Sequence, residues 1–214
     1  MDGTGNNRQK AGQAASPKRR KSPKGEERRE QILQAAMRQF ADDGYQNASF
    51  AAIALEVGLS LPGLIHYFPT KVDLLLAILE RRDLENVKAL GGPELSWRAL
   101  LAALIDIVQA NTQIPGVVRA FAILNAESLT RDHPAAGWFG SRARSVSLSL
   151  SQTLRRGIES GEIRPDVDAE ALAAELISMM DGLQMLWLRA PDEVDMVAIF
   201  RAYVDRLAGD IAAR

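Results

Sequence analysis

The stretch "SFAAIALEVGLSLPGLIHYFPTK", residues 49–71, contains two short apolar segments separated by a tight turn. Ser49 and Ser60 each stand just before one of these segments, where a serine hydroxyl can accept a hydrogen bond from the first turn of a helix. Gly58 suits the end of the first helix. Pro62 suits the first turn of the second, because its missing N–H is not needed there. The spacing therefore predicts a helix, a turn and a helix.

Two longer helices are predicted to frame this stretch. From Glu26, apolar side chains recur every three or four residues until Gly44, which suits a helix C-terminus. Thr70 is the predicted cap of another long helix, which the Gly-Gly-Pro sequence at 91–93 interrupts. Two short helices around a tight turn form the helix-turn-helix arrangement, in which the second helix can enter the major groove of DNA.

The rest of the sequence is also helical in pattern. The run "SVSLSLS", residues 145–151, alternates with period two as a strand does, but Val146, Leu150, Leu154 and Ile158 step by four. We interpret this run as helix, because the residues on both sides of it follow a helical pattern. The fold class predicted from these patterns is all-α.

The segment "ILQAAMRQFADDGYQNASF…HYFPTKVDLLLAIL" resembles the N-terminal domain of the TetR/AcrR family of bacterial transcriptional regulators, over roughly residues 26–86. The resemblance rests on Phe40, Gly44 and Tyr45 at the end of the first long helix, on "IA…VGLS" and on "HYFPTK". The C-terminal "GEIRPDVDAEALAAELISMMDGLQMLWL" is similar, less specifically, to the family's dimerisation region.

This resemblance implies an N-terminal three-helix helix-turn-helix DNA-binding domain and a C-terminal helical domain for ligand binding and dimerisation. The predicted divisions are a disordered basic arm at 1–25, the DNA-binding domain at 26–86 with its motif at about 49–68, and the effector-binding and dimerisation domain at 87–214. The implied partners are a double-stranded DNA operator, a second copy of the chain and a small-molecule effector of unknown identity. No cofactor is implied.

The family's motif also implies which residues meet DNA. Ser49, His66, Tyr67 and Lys71 match positions that contact phosphates, and Lys71 opens a helix, where backbone N–H groups add to an anion site. A packing role for His66 and a merely solvated charge at Lys71 stay open as alternatives. The full set of predicted DNA-contacting residues is Ser49, Ser60, Leu61, Pro62, Gly63, Ile65, His66, Tyr67 and Lys71.

The predicted recognition surface departs from the family's pattern. Leu61, Gly63 and Ile65 stand where the family often has a basic residue, a serine or threonine, and a tyrosine. The surface has none of the Arg, Lys, Asn or Gln side chains that make bidentate contacts with bases. We therefore expect sparse base reading, with apolar contacts to thymine methyls, while backbone contacts and DNA shape carry more of the binding.

Charge is unevenly distributed along the chain. Residues 1–24 hold seven basic residues and one acidic residue, a net +6, which leaves −7 for the rest of a chain whose total is −1. The composition of this arm cannot bury enough apolar surface to fold alone. The arm is either a solubilising tail or a segment that contacts phosphates or the minor groove, and the sparse recognition surface favours contact.

The last two predicted helices, 168–189 and 193–212, are apolar around much of their circumference. A helix of this kind must be covered on more than one side. The second one has two adjoining stripes, of which we expect one inside the subunit and one outside: Val197, Val204 and Ile211 form one, and Met196, Phe200, Tyr203 and Leu207 form the other. We interpret the pair as a face for a second copy of the chain. A central position within one subunit is the alternative.

The composition excludes several classes of function. The chain has no cysteine, and its two histidines, His66 and His133, lie far apart in the sequence without a known catalytic motif around them. No apolar run suggests a signal peptide or a membrane span. We therefore expect no enzyme activity, no bound metal and no membrane contact. The expected location is the reducing cytoplasm, on the nucleoid through DNA binding.

Large or polar side chains amid the apolar C-terminal helices are the candidates for an effector pocket. They are Trp97, Phe121, Asn125, Glu127, Trp138, Phe139, Met180 and Gln184, and for each an ordinary core or surface role stays open. The expected function is a ligand-responsive transcriptional regulator, a repressor by the family's default, that binds a palindromic operator as a dimer and is released by an effector. The alternative is a helical dimeric ligand-binding protein without sequence-specific DNA binding.

Overall fold

The computed structural model describes residues 23–89 and 95–213 of the chain. Ten α-helices and no strand lie within this part, where an isolated antiparallel bridge joins Ile163 and Ala212. The prediction of an all-α fold is therefore confirmed. The helices are α1 (Pro23–Asp42), α2 (Gly44–Asn47), α3 (Phe50–Glu56), α4 (Leu61–Tyr67), α5 (Lys71–Ala89), α6 (Trp97–Thr112), α7 (Pro115–Glu127), α8 (Ala136–Glu159), α9 (Ala169–Arg189) and α10 (Met196–Ile211).

The capping residues and glycines around the turn adopt the roles that the sequence predicts. The hydroxyls of Ser49 and Ser60 accept hydrogen bonds from backbone N–H groups three residues later, at 3.4 and 3.2 Å. Gly44 and Gly58 have φ angles of +76° and +67°, a region that side chains with a Cβ rarely adopt. The Thr70 hydroxyl accepts from a backbone N–H at the start of α5. These residues fix where the helices begin and end.

Two features of this region differ from the prediction. α1 begins at Pro23, three residues ahead of the predicted start at Glu26, so the last part of the predicted arm is helical. The short α2 begins at Gly44, where only a helix stop was expected. Residues 1–22 of the arm lie outside the described residues. The run 145–151 lies within α8, as predicted.

The N-terminal core lies between α1, α3, α4 and α5. Its fully buried side chains include Ile32, Phe40, Ile53, Leu64 and Ile78. α7 packs against α1 and α2 and adds three more buried side chains to this core, those of Val117, Ala120 and Leu124. Packing therefore crosses the predicted division near residue 86, and the limits of the two domains stay a prediction.

The C-terminal core lies between α6, α8, α9 and α10. α8 packs along α9, and α6 packs on α10 and α8. At Gly157 of α8 the helices approach closely, since a Cβ there would lie 2.7 Å from Ile163 Cδ1 and 2.9 Å from Trp97 Cδ1. Trp97 is almost fully buried, and its Nε1 donates a hydrogen bond to Glu162 Oε2 at 3.0 Å.

The prediction for the two stripes of α10 is wrong. Five of their seven residues, Met196, Phe200, Tyr203, Val204 and Ile211, are buried within the single chain, because α10 packs against both α6 and α9. The remaining two, Val197 and Leu207, are half-buried and pack against the same core. Neither stripe therefore forms an outer face.

The outer surface of this helix pair is formed by other residues. On α9 its small and apolar members are Ala171, Ala174, Ser178, Gly182, Met185 and Leu186, and on α10 they are Ala198, Ile199, Ala202 and Gly209. Met185, Leu186 and Ile199 are large apolar side chains that are 42%, 55% and 45% exposed. We call these ten residues the α9–α10 face.

Tyr203 joins the two helices beneath this face. Its hydroxyl donates a hydrogen bond to Glu175 Oε1 at 2.8 Å. Burial raises the pKa of Tyr203, and the bond to Glu175 and its negative charge raise it further. The hydroxyl therefore stays protonated at neutral pH and keeps its role as donor.

α9 is strongly apolar along its length. Among the described helices, α9 alone is long and apolar enough to cross a membrane, judged by length and composition only, with a mean hydropathy of 1.2 over its most apolar 18 residues. Two bent pairs in the same part of the chain, α3 with α4 and α6 with α7, would be apolar enough if each pair were one span. In the fold, α9 packs along α8, α10 and α7, and Leu183 and Trp187 are buried there. These contacts with three helices bury part of the apolar surface of α9.

Candidate DNA interface and internal cavity

α3 and α4 form the helix-turn-helix unit that the sequence predicts. Their axes are bent by 97° relative to each other, and the N–H of Leu59 in the turn donates to the Ala54 carbonyl at 2.8 Å. Leu64 and Phe68 anchor α4 in the N-terminal core, at 0% and 3% exposure. A short helix held this firmly by its inner face presents its outer face in a fixed orientation.

The outer face of α4 carries most of the residues predicted to meet DNA. Leu61 and Ile65 are 41% and 42% exposed, although both are large apolar side chains. Pro62 and His66 are also exposed, while Gly63 is half-buried. The surface is therefore apolar with one titratable group, as the sequence predicts, and contact with DNA remains a prediction for each residue.

The predicted phosphate-contacting residues occupy different environments. Ser49 and Ser60 use their oxygens as helix caps, but a hydroxyl that accepts one bond can still donate another. Tyr67 is half-buried, and its ring lies 6.0 Å from that of His66 in an edge-to-face arrangement. These groups lie at the ends of α3 and α4, and their contact with phosphates stays a prediction.

Lys71 has a structural contact that the sequence did not reveal. Its Nζ donates a hydrogen bond to the carbonyl oxygen of Tyr45 at 2.9 Å and lies 5.2 Å from the centroid of the Tyr45 ring. This contact joins the start of α5 to α2. If Lys71 contacts a phosphate, it does so with the same ammonium group that joins α5 to α2.

Two cations of α1 lie beside the helix-turn-helix unit and were missed by sequence reasoning. Arg28 Nη1 donates to the Val57 carbonyl at the end of α3, at 2.8 Å. The Arg29 guanidinium lies 5.2 Å from the centroid of the Phe68 ring. Sequence analysis singled out neither residue, and only the fold brings them next to α3 and α4.

A cavity of about 90 Å³ lies at the junction of α5 with five helices of the C-terminal half. Of the eight residues predicted for an effector pocket, Phe121, Met180 and Gln184 line it. The nine lining residues that the sequence did not single out are Leu79, Asp83, Ile107, Val108, Asn111, Val118, Arg142, Asp181 and Met196. The cavity thus touches α5 and α7, which both pack in the N-terminal core.

The other five predicted pocket residues lie elsewhere. Trp97 belongs to the C-terminal core. Trp138 and Phe139 pack edge to face at 4.8 Å against the N-terminal core. Asn125 is half-buried and Glu127 is exposed, so neither needs the buried partner that their apolar neighbours suggested.

Three charged side chains define the polar wall of the cavity. Arg142 of α8 makes two hydrogen bonds to Asp83 of α5, from Nε at 2.6 Å and from Nη2 at 3.0 Å. Its guanidinium carbon lies 5.1 Å from the centroid of the Phe121 ring. Burial raises the pKa of the Asp181 carboxyl, although Asp181 keeps an exposed surface, and the charge of Arg142 opposes this shift only in part. A signal for Asp181 was present, as a polar residue within an apolar helix.

Taken together, an outward-facing α4 and a cavity behind α5 define the chain as a helix-turn-helix DNA-binding regulator. The family model described as "Bacterial regulatory proteins, tetR family" matches residues 32–78, and that described as "BetI-type transcriptional repressor, C-terminal" matches residues 96–209. The chain belongs to the TetR family of bacterial transcriptional regulators, which are not enzymes.

Relatives support the same assignment. An HTH-type transcriptional repressor of Mycobacterium tuberculosis is 29% identical over 73% of this chain and 80% of its own length. The regulator TtgR of Pseudomonas putida is 27% identical, over 87% of this chain and 92% of its own. Among solved structures, a regulator of Saccharomonospora viridis in complex with choline has a TM-score of 0.68 and 26% identity, covering 88% of this chain and all of its own. A SmeT–triclosan complex has a TM-score of 0.71 at 19% identity, over 87% and 92%, a likeness of fold alone.

Proposed function

We propose that this chain is a ligand-responsive repressor that binds a palindromic operator as a homodimer and is released by a small-molecule effector. The observation that carries the proposal is the cavity behind α5, because the same helix supplies Leu79 and Asp83 to the cavity and Leu74 and Ile78 to the core beneath α4. A ligand in this cavity contacts a helix on which the DNA-binding unit rests. The M. tuberculosis relative is described as a repressor, which supports the same action here.

The homodimer is supported by the α9–α10 face. Large exposed apolar side chains mark interaction sites when they lie together, and Met185, Leu186 and Ile199 do so among small residues. Gly182, Ala198 and Ala202 have little side chain, so a second helix pair can approach closely. A twofold dimer makes such a patch meet its own copy.

The DNA contacts follow from two copies of α4. In a dimer, two recognition helices reach major grooves about one helical turn apart, roughly 34–36 Å, so the operator is an inverted repeat. Leu61, Pro62, Ile65 and His66 would meet base edges, and Gly63 lets the backbone approach. Ser49, Ser60, Tyr67 and Lys71 would meet phosphates, together with the basic arm. The protein would act in the cytoplasm, on the nucleoid.

The experiment is a selection of operator DNA by the purified full-length chain from a random library, followed by footprinting. A footprint with twofold symmetry and a sedimentation mass of two chains is the expected result. If the chain selects no sequence while remaining a dimer, the proposal fails and a dimeric ligand-binding protein without sequence-specific DNA binding takes its place. A symmetric footprint that no small molecule weakens would remove effector release from the proposal.

A further inference from the structure

The two helices of the helix-turn-helix unit are held at their beginnings and at their ends by different parts of the chain. Each helix is seven residues long, too short to be stable in water without contacts from elsewhere. Their first turns are capped locally, by the hydroxyls of Ser49 and Ser60. Their C-terminal ends are contacted by α1, which is distant in the sequence.

Two consecutive arginines of α1 make these contacts. Val57 is the C-cap residue of α3, and its carbonyl accepts a hydrogen bond from Arg28 Nη1 at 2.8 Å. The same nitrogen donates to Gln31 Oε1 at 3.0 Å. Phe68 is the C-cap residue of α4, and the guanidinium carbon of Arg29 lies 5.2 Å from the centroid of its ring. Because the helix dipole favours cations at a C-terminus, each arginine suits the helix end that it contacts.

The part of α1 that carries the two arginines is itself firmly anchored. The next residue, Glu30, accepts a hydrogen bond from Arg81 of α5. Ile32 and Leu33 follow within one turn and are 0% and 1% exposed. Contacts from a segment that is held in this way restrict the movement of the helix ends that they reach.

We propose that Arg28 and Arg29 are positioning residues that set specificity for the operator, because they fix the angle between α3 and α4 and thereby the orientation in which α4 enters the DNA groove. The two helices are bent by 97° relative to each other. A fixed angle matters because side chains read base edges only when the outer face of the helix fits the groove. The inference rests on the proposed function, since it assumes that α4 meets the operator.

A positioning role accounts for these arginines better than a phosphate contact does. Both side chains are half-buried, and both guanidinium groups are directed at partners within the domain. Phe68, the partner of Arg29, is only 3% exposed. The two roles also differ in their consequences. Loss of a phosphate contact lowers the salt dependence and weakens binding to all sequences alike, whereas loss of orientation weakens binding to the operator most.

The test compares the full-length wild type with the double variant Arg28→Met, Arg29→Met in binding the selected operator and random DNA of equal length. If about one orientation of α4 in ten still fits the groove, operator affinity should fall about tenfold, and affinity for random DNA less than about twofold. The slope of log affinity against log salt should change by less than about 0.5. A slope reduced by about 2, with both DNAs weakened alike, would identify two phosphate contacts and overturn the proposal. Unchanged operator affinity would overturn it as well.

Arg38→Met is the matched control. Arg38 also joins α1 to α3, through a salt bridge with Glu56, but its side chain is 60% exposed and it contacts no helix end. Pairs of this exposure contribute little, so operator affinity should stay within about twofold of the wild type. A tenfold loss in this variant too would mean that Arg28 and Arg29 have no special role.

Hydrogen exchange separates a changed orientation from a damaged fold and needs no DNA. In the double variant, exchange should become faster in α3 and α4 and stay as in the wild type in α1 and α5. Unchanged exchange in α3 and α4 would contradict the positioning role. If the wild type selects no operator, the proposed function fails, while the exchange comparison still tests whether the arginines hold the two helices.

Phe68→Leu provides a second route if exchange rises throughout residues 23–89 of the double variant. It removes the ring that Arg29 contacts and keeps every positive charge, so operator affinity should fall at an unchanged salt slope. Arg29→Met should then weaken binding little further, because both changes remove the same contact. Fully additive losses would show that Arg29 acts on DNA independently of Phe68, and the proposal would fail.

Discussion

The outer face of α4 and the α9–α10 face both expose large apolar side chains, but they do so in different surroundings. On α4, Leu61 and Ile65 stand on a seven-residue helix, and Arg28, Arg29 and Lys71 contact residues at the ends of α3 and α4 and in α2. On α9 and α10, the apolar side chains continue along two helices and alternate with glycine and alanine.

This difference indicates two kinds of partner. A small apolar spot on a domain that carries cations at the ends of its helices suits a partner with apolar groups and an anionic backbone, and the thymine methyls of a DNA groove are such apolar groups. A long stripe of small and large apolar residues suits close contact with another helix pair. Exposed apolar surface alone therefore does not identify a partner; the charges around it and its length decide.

The largest expected effect comes from breaking the α9–α10 face. Leu186→Glu combined with Ile199→Glu places two charges from each subunit in the proposed interface, where desolvation of unpaired charge is costly. We expect monomers by sedimentation and loss of measurable operator binding. Leu129→Glu, which changes an 87% exposed leucine after α7, serves as the control and should change neither property. A double variant that remains a dimer would show that this face is not the interface.

Removing the basic arm is expected to have the next largest effect. Deleting residues 1–22 leaves α1 intact and removes six of the basic residues and the acidic one. If the arm lies on DNA, the loss of three phosphate contacts should reduce the slope of log affinity against log salt by about 3. The loss should be similar for all sequences, since phosphate contacts carry no sequence information directly. Parallel slopes for the full-length and shortened chains would identify the arm as a solubilising tail.

A smaller effect should follow from crowding the C-terminal core at Gly157. Gly157→Ala places a methyl group within 3 Å of Ile163 and Trp97, so the free energy of unfolding should fall by about 1–3 kcal/mol. Gly137→Ala is the matched control, because a Cβ at this position of α8 meets nothing within 4 Å. Urea denaturation measures both. Equal stability of the two variants would mean that the contact at Gly157 relaxes without cost.

The smallest expected effect concerns contacts between the outer face of α4 and thymine methyl groups. Replacing thymine by uracil within the selected operator removes only the C5 methyl group. Each methyl in contact with Leu61 or Ile65 should contribute about 0.8 kcal/mol, roughly a fourfold change in affinity. Leu61→Ala and Ile65→Ala should make binding insensitive to the same replacement, which a double-mutant cycle quantifies. Uracil replacement between the half-sites is the control. If no thymine in either half-site matters, α4 does not read methyl groups.

The sequence alone was enough to predict the helix-turn-helix unit, because its determinants are local. A serine cap acts on the helix that follows it, and a glycine with positive φ ends the helix that precedes it, so Ser49, Gly58 and Ser60 could be interpreted without a fold. The apolar outer face of α4 could also be predicted. If Leu64 and Phe68 point into the core, Leu61 and Ile65 must point outward.

Only the tertiary structure decided the rest, because the contacts concerned join residues that are distant in the chain. α10 has apolar residues on two adjoining stripes, and its packing against α6 and α9 buries five of the seven, while Ile199 faces outward. Arg142 and Asp83 lie 59 positions apart, and no periodicity indicates that they meet. A cavity forms only where the side chains of several neighbouring helices leave a gap between them. Its lining therefore depends on how the helices cross, which the sequence of any one helix does not contain.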